Sequence, residues 1–561
     1  MHDLDRYLAA RDFLLRHRED YDAARAGFRW PELSRFNWAL DFFDRLAEGN
    51  RRTAVLIANP HGDVRVSYAE LKDRSARLAG YLRASGVARG ERILAALQNG
   101  IAIQELLLAS LKIGAVMVPA STALTTEQLQ ERISRGHIRH LVADAAVAEQ
   151  LGPEPVSGLR VVEGGSAAGW RPLDEARAAA PFVPDAPTSQ DDPALLYFTS
   201  GSTAQPKLVS HSQGSYPVGH LSTLYWMGLR EGDVHLNVST PGWGKHAWSS
   251  FFAPLTAGAT VVLDPHARFH PGRMLDLLER IPVTSLCAPA TAWRMLLLRD
   301  PATRRVALRE GLTAGEPLDP EVAARIKHAW GLTIREGYGQ TETTATVGNS
   351  PGQPTVPGSM GRPLPGFDVA LLDGDGAQVD EGELALSLDP YPTGLMSAYV
   401  GELALTSAAL REGWYRTGDS ARRGEGGYLF YGGRADEVFK SSDFRISPFE
   451  LEKVLQEHPS VAEVAVVPSP DPMRGLVPKA FVRLEPDQQP NAAVAQDILR
   501  FARTHLPAYQ RVRRIQFGEL PRTISGKVRR GDLRRQEAGR RSTARAEGEF
   551  WQEDFGREGH E

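Results

Sequence analysis

The chain has 561 residues, 42% hydrophobic and 24% charged, with a formal net charge of −4. That balance suits a globular protein with two or more cores and argues against wholesale attraction to nucleic acid or an anionic membrane. The Met-His-Asp-Leu-Asp-Arg start lacks a basic-then-apolar leader pattern, no apolar run approaches the roughly 18 residues of a membrane span, and a cytoplasmic protein is expected. The single cysteine, Cys287, sits in Thr-Ser-Leu-Cys-Ala-Pro and reads as a buried packing residue.

In chain order, Gln104 to Lys112 has helical character, Gly114 can end it, and Ala115 to Val118 predicts a short buried strand stopped by Pro119. A proline-rich connector, Pro181 to Gln190, leads into Tyr197-Phe-Thr-Ser-Gly-Ser-Thr-Ala-Gln-Pro-Lys207, the most informative run. Small residues around Gly201 let backbone N–H groups approach an anion, Thr199, Ser200, Ser202 and Thr203 add hydroxyl donors, and Lys207 adds positive charge. The run reads as a cradle for a polyphosphate; alone, it also fits a solvated Ser/Gly/Thr turn. It is not a P-loop, because Ser-Thr-Ala-Gln-Pro separates Gly201 from the lysine, and no Gly-x-Gly-x-x-Gly after a strand supports a dinucleotide fold.

Further on, Thr256 to Asp264 repeats a turn followed by a buried strand, and Gly331 to Glu336 delivers a strand into Tyr338. Beyond Arg434 the texture becomes that of a smaller unit. Ser447-Pro-Phe-Glu450 predicts a capping box and a helix through about His458, and Val461 to Val467 predicts a strand. Between Arg511 and Arg545 twelve Lys or Arg face three acids; with few interleaved aromatics this reads as a solvated basic face rather than a nucleic-acid patch.

The run at 197–207 resembles the phosphate-binding signature of the adenylate-forming superfamily, which contains acyl-CoA synthetases, peptide-synthetase adenylation domains and luciferases. The family's other motifs have their likenesses downstream in its order: Thr313-Ala-Gly-Glu-Pro317, Tyr338-Gly-Gln-Thr-Glu342, Trp414-Tyr-Arg-Thr-Gly-Asp419, Gly433-Arg-Ala-Asp436 and Pro521-Arg-Thr-Ile-Ser-Gly-Lys527. Within the superfamily, Phe36 to Asp44 and Thr240 to Phe252 are most similar to the acetyl-CoA and medium-chain acyl-CoA synthetase branch. The resemblance covers nearly the whole chain. It implies an α/β fold: a large N-terminal domain of packed sheets and helices, residues 1–433, and a small mobile α+β C-terminal domain, residues 434–561.

The activity implied is ATP-dependent ligation of a small-molecule carboxylic acid to coenzyme A, with Mg²⁺, and with no nucleic-acid partner. Carboxylate and α-phosphate repel by about 4 kcal/mol at ~4 Å and an effective dielectric near 20. In the family the lysine here numbered 527 relieves that repulsion, the glutamate here numbered 342 holds the metal, and Thr341 contacts the α-phosphate. Nucleotide contacts are implied for Thr199, Ser200, Gly201, Ser202, Thr203 and Lys207, for Gly315, Glu316 and Pro317, and for Tyr338, Gly339 and Gln340. Asp419 and Arg434 fall on the ribose, and Arg445 on coenzyme A's side. Trp243, Trp248 and Gly337 are implied in the acid pocket, Trp243 also as a gate to the thiol tunnel, and Asp436 as the hinge.

Two residues depart from the family pattern. Ala204 and Asp443 stand where it has glycine; a carboxylate at 443 bears on the pantetheine path and so on thiolation rather than adenylation. A medium-chain or aromatic acid is favoured over acetate. Delivery of the adenylate to a carrier protein or amine, and nucleotide binding without catalysis, stay open.

Overall fold

The computed structural model describes residues 2–59, 62–199, 206–266, 268–441, 444–472, 474–508, 510–522, 527–539 and 545–555. Among these, two large sheets dominate the N-terminal part. In a nine-stranded sheet, six consecutive strands run parallel, from Thr53–Ile57 through Thr260–Leu263, Val234–Asn237, Ser285–Cys287 and Glu310–Ala314 to Ile334–Tyr338. An eight-stranded sheet places Pro193–Thr199 beside Val116–Pro119 in parallel and pairs it antiparallel with Lys207–Ser212. A five-stranded antiparallel sheet follows, with Trp414–Arg423 pairing Leu429–Arg434.

The expected αβ step is present. The helix spans Ile101–Ile113, almost every residue of it buried, and ends at Gly114, whose φ of +67 is the left-handed conformation that suits glycine at a helix C-terminus. The strand after it is Val116–Pro119. Cys287 is fully buried on the strand Ser285–Cys287. Two π-helical turns, Trp38–Phe43 and Trp248–Phe252, meet in the core, where the Trp38 ring lies 5.6 Å from Phe251 and 5.3 Å from Phe252. The two segments that carry the likeness to the acyl-CoA synthetase branch thus pack against each other, and aromatic edge contacts of this kind add to their burial.

The C-terminal part has its own core, whose buried members all come from Phe439 onward and include Leu451, Val466, Val482, Ile498 and Ile515. A sheet of Val461–Asp471, Gly475–Leu484, Arg514–Phe517 and Glu549–Trp551 carries the helices Pro448–Leu455, Ala492–His505 and Arg530–Ala538. Lys479 is fully buried in it, 2.7 Å from Glu537 and 3.1 Å from Glu549.

The capping box at Ser447 does not form. Ser447 Oγ donates to the Gly432 carbonyl at 2.7 Å, Glu450 accepts from Gln510, and the helix stops at Leu455 instead of His458. A tertiary partner has outcompeted the local one; Pro448 at the first helical position still starts the helix. The basic stretch from Arg511 to Arg545 is also more than a solvated face. Arg514 is buried over Trp551, with its guanidinium 3.9 Å from the ring, and Arg522, Arg529, Arg530, Arg535 and Arg545 form ion pairs with Glu463, Asp532, Glu437, Glu452 and Asp554. No helix among the described residues is long and apolar enough to cross a membrane.

Candidate active site

The parallel strands Glu310–Ala314 and Ile334–Tyr338 end side by side, and the loops leaving their C-terminal ends carry the first group of site residues, as ligand loops do in α/β sheets. Gly315 leaves the first strand at φ +94. Glu316 accepts from the Thr291 amide at 2.6 Å, and Lys245 Nζ donates to the Ala314 carbonyl at 3.3 Å, so the exposed Gly315 to Pro317 turn is held from both sides. Glu336, on the second strand, accepts from the Leu318 amide at 3.0 Å; burial pushes its carboxyl up to about 7.

Gly337 lies on the second strand and Gly339 just past its end, two positions on. A Cβ on Gly337 would stand 2.3 Å from Trp226, and one on Gly339 2.4 Å from Trp248. Each glycine therefore admits an indole. Trp248 Nε1 donates to Tyr216 Oη at 2.9 Å, and Trp226 Nε1 donates to the Glu336 carbonyl at 3.0 Å. Trp243 is half-buried and precedes the short helix Gly244–Ala247.

The turn after Gly339 is clamped. His211 Nε2 lies 2.7 Å from the Thr341 carbonyl and must be its donor, which fixes the tautomer; burial drops this imidazole to about 4 and keeps it neutral. The Met396 amide donates to the Glu342 carbonyl at 2.7 Å, and Tyr399 Oη donates to Glu342 Oε1 at 2.9 Å. Burial raises the Glu342 carboxyl, while the Tyr399 hydroxyl and the Lys207 charge pull it back down. Lys207 Nζ sits 4.8 Å from the Tyr399 ring centroid, and its strand pairs it with Thr199 across the base of the phosphate loop.

Asp419 is the hub of the second group. It is 5% exposed and accepts from four side chains: Tyr338 Oη at 2.6 Å and Gln340 Nε2 on one oxygen, Tyr431 Oη at 3.2 Å and Arg434 Nη1 at 3.3 Å on the other. Antiparallel register sets Asp419 opposite Arg434. Tyr415 Oη completes the ring by donating to Gln340 Oε1 at 2.7 Å. Burial works against the Arg434 charge, but the Asp419 and Asp436 carboxylates outweigh it and raise its pKa.

An AMP-binding enzyme model matches residues 42–400, and an AMP-binding enzyme C-terminal domain model matches residues 450–527. The chain belongs to the AMP-binding enzyme family. It is 40% identical over 539 residues to 4-hydroxybutyrate–CoA ligase 1 of Metallosphaera sedula, covering 93% of this chain and 94% of the relative. It is 36% identical over 545 residues to the mitochondrial acyl-coenzyme A synthetase ACSM3 of Mus musculus, covering 92% and 93%. Among solved structures, the anthranilate CoA ligase AuaEII in complex with anthranoyl-AMP superimposes with a TM-score of 0.81 at 26% identity, covering 90% of this chain and 98% of that one.

In this AMP-binding enzyme the site brings together Lys207, Tyr338, Gln340, Thr341, Glu342, Asp419 and Arg434, all singled out in the sequence. Ser200, Gly201, Ser202, Thr203 and Ala204 lie outside the described residues, as do Asp443 and the side chain of Arg445, whose backbone belongs to the strand Phe444–Ile446. Lys527 is exposed on a loop closed at its base by an Arg522–Val528 bridge and by the Arg529 amide donating to the Pro521 carbonyl at 2.7 Å. Asp436 sits in the turn after Leu429–Arg434, accepting from Arg434 Nε at 3.1 Å. His211, Trp226, Tyr399 and Tyr431 went unnoticed in the sequence, and Tyr415 was read only as part of the Trp414 to Asp419 motif, with no role of its own. Of the four unnoticed, Tyr431 left a signal, three positions before Arg434 on the strand that meets Asp419.

Proposed function

We propose that this chain is an AMP-forming acid:CoA ligase that joins a carboxylic acid to AMP, releasing pyrophosphate, and then passes the acyl group to the sulfur of coenzyme A with loss of AMP. The observation that carries this reading is the Asp419 hub beside the Glu342–Tyr399–Lys207 group at the ends of parallel strands, on a chain aligned with acid:CoA ligases over nearly its full length.

Asp419 is a buried carboxylate held in one orientation by four donors, and the ribose hydroxyls bind there by taking the place of part of that set, the Tyr431 and Arg434 bonds being the longest of the four. The Tyr338 ring lies beside adenine, on the Gly315 to Pro317 side. Glu342 fits a hard cation: it is a carboxylate at the cleft, anchored through one oxygen. Among the described residues no three His, Cys, Asp or Glu side chains form a metal cage, so Mg²⁺ held there would draw its other ligands from phosphate and water. The cation would neutralise phosphate charge. Thr341 and Lys207 address the phosphates, and Lys527 faces carboxylate and α-phosphate where charge builds, the part of binding that speeds chemistry.

Lys527 belongs to the small C-terminal part, which separates from the large part at 433/434 and turns about Asp436 to exchange the lysine for the face carrying Arg445. The acid is a medium-chain or aromatic one lying against Trp243 and Trp248. Its site of action is cytoplasmic in this reading.

A panel of acids in a pyrophosphate-release assay tests the proposal: hexanoate, benzoate, anthranilate, 4-hydroxybutyrate and acetate, each with and without coenzyme A. Acid-dependent pyrophosphate together with a free thioester is expected. Pyrophosphate without thioester would transfer the reading to a carrier-protein or amine acceptor, and no pyrophosphate with any acid would overturn it.

A further inference from the structure

The helix that follows the Lys527 loop is tied to the hinge by arginine side chains, Arg530 foremost. Arg530, three positions after the lysine, opens the helix Arg530–Ala538 and reaches Glu437, which directly follows the hinge residue Asp436. Its Nη1 lies 2.7 Å from Glu437 Oε2, while Nε and Nη2 fork onto Glu452 at 3.0 and 2.6 Å. Glu452 is 7% exposed and also accepts from the Val466 amide at 2.7 Å, so the fork is fixed to the sheet beneath it. One turn further along the helix, Arg534 Nη1 donates to the Asp436 carbonyl at 2.8 Å. On the other side, the Lys527 loop is pinned by the Arg522–Val528 bridge and by Arg522 pairing with Glu463.

We propose that Arg530 is the positioning residue of adenylation, carrying the rotation at Asp436 rigidly to Lys527 through Glu437 and Glu452. The inference rests on the role given to Lys527 above and goes beyond it. A planar guanidinium with three directed donors suits the task, because it engages two carboxylates at once; an ammonium is a point charge and cannot hold the fork. A catalytic amine on a loop acts only if it arrives within a fraction of an ångström, and an error near 1 Å costs on the order of 100-fold. Glu437 moves with the turn that reorients and Lys527 with the loop that must follow, and Arg530 makes them one body. Once the adenylate exists and the lysine has swung away, the fork has no part in the attack by the thiol.

The test compares Arg530→Lys, Arg530→Ala and Glu437→Gln with Lys527→Ala in two assays. One is hexanoate- or benzoate-dependent ATP–pyrophosphate exchange; the other is coenzyme A-dependent consumption of chemically made hexanoyl- or benzoyl-adenylate. Arg530→Lys and Glu437→Gln keep the charge or the shape of the pair and serve if the alanine variant does not fold. Exchange is expected to fall about 10- to 100-fold for Arg530→Lys, with thiolation held within roughly threefold. In a Lys527→Ala background, Arg530→Lys is expected to cost nothing more, since it acts through the absent amine. Unchanged exchange, equal loss of both half-reactions, or an additive loss in the double variant would overturn the inference while leaving Lys527 in place. Undiminished exchange in Lys527→Ala alone would instead remove the reading on which it rests.

Discussion

Tyr399 donates its phenol hydroxyl to Glu342 Oε1 at 2.9 Å, across 57 positions of sequence, and places its ring 4.8 Å from the Lys207 ammonium. One tyrosine therefore joins the base of the phosphate loop to the acid assigned to the metal. The bond favours the ionised carboxylate against the burial that raises it.

Tyr399→Phe removes that donor, and the Glu342 pKa rises further. A group that must be anionic to hold a cation then loses function at a higher pH on the acid side. A hydrogen bond to a charge is worth about 1.5 kcal/mol, so the acid limb of the exchange rate should move up by roughly one pH unit, with a higher Mg²⁺ requirement. A pH series of exchange at fixed Mg²⁺ checks this; an unshifted limb would separate Tyr399 from the metal site.

Asp419→Asn should be costly in two ways. The amide cannot accept from Tyr338, Gln340, Tyr431 and Arg434 together, and it leaves Arg434, in a half-buried place, with Asp436 as its remaining carboxylate partner. ATP-dependent kcat/KM should drop on the order of 100-fold, about 2.7 kcal/mol, mainly through KM for ATP. Initial-rate kinetics over ATP concentration read it directly.

Glu336→Gln should change how stability depends on pH. The folded carboxyl titrates near 7 against an ordinary value of 4.5, so between those limits the native state binds the extra proton, and native stability declines as pH rises through that window. The full penalty, about 3 kcal/mol, is present above pH 7. The glutamine variant keeps an acceptor for the Leu318 amide and should show a flatter profile, with more stability than the parent at pH 8. Denaturant midpoints at pH 5, 6, 7 and 8 measure it.

Short linear motifs made much of the site readable before the fold. Tyr338 ends a strand and Gln340 and Glu342 follow in the turn after it, and Asp419 meets Arg434 because an antiparallel pair closes over a short connection. The αβ step at Ile101 to Pro119 was equally plain, since a buried apolar helix ending in a left-handed glycine has a local cause. His211 and Tyr399 were not legible, since each gains its meaning from a partner far along the chain and an isolated histidine or tyrosine carries no mark of that; Tyr415 stood in a quoted motif, but its bond to Gln340 was equally hidden. Trp226 was hidden likewise, because Gly337 and Gly348 show a need for space and not what fills it. The Ser447 capping box fits every local rule and fails because the Gly432 carbonyl lies within reach of its hydroxyl.

In the proposed mechanism the Lys527 amine promotes formation of the anhydride and is then dispensable. Lys527→Ala, assayed for acid-dependent ATP–pyrophosphate exchange and, separately, for coenzyme A-dependent consumption of supplied acyl-adenylate, tests it most directly. Exchange lost by about three orders of magnitude with thiolation largely intact is the expected result, a difference near 4 kcal/mol in barrier. Exchange at the parental rate, or equal loss in both assays, would contradict it.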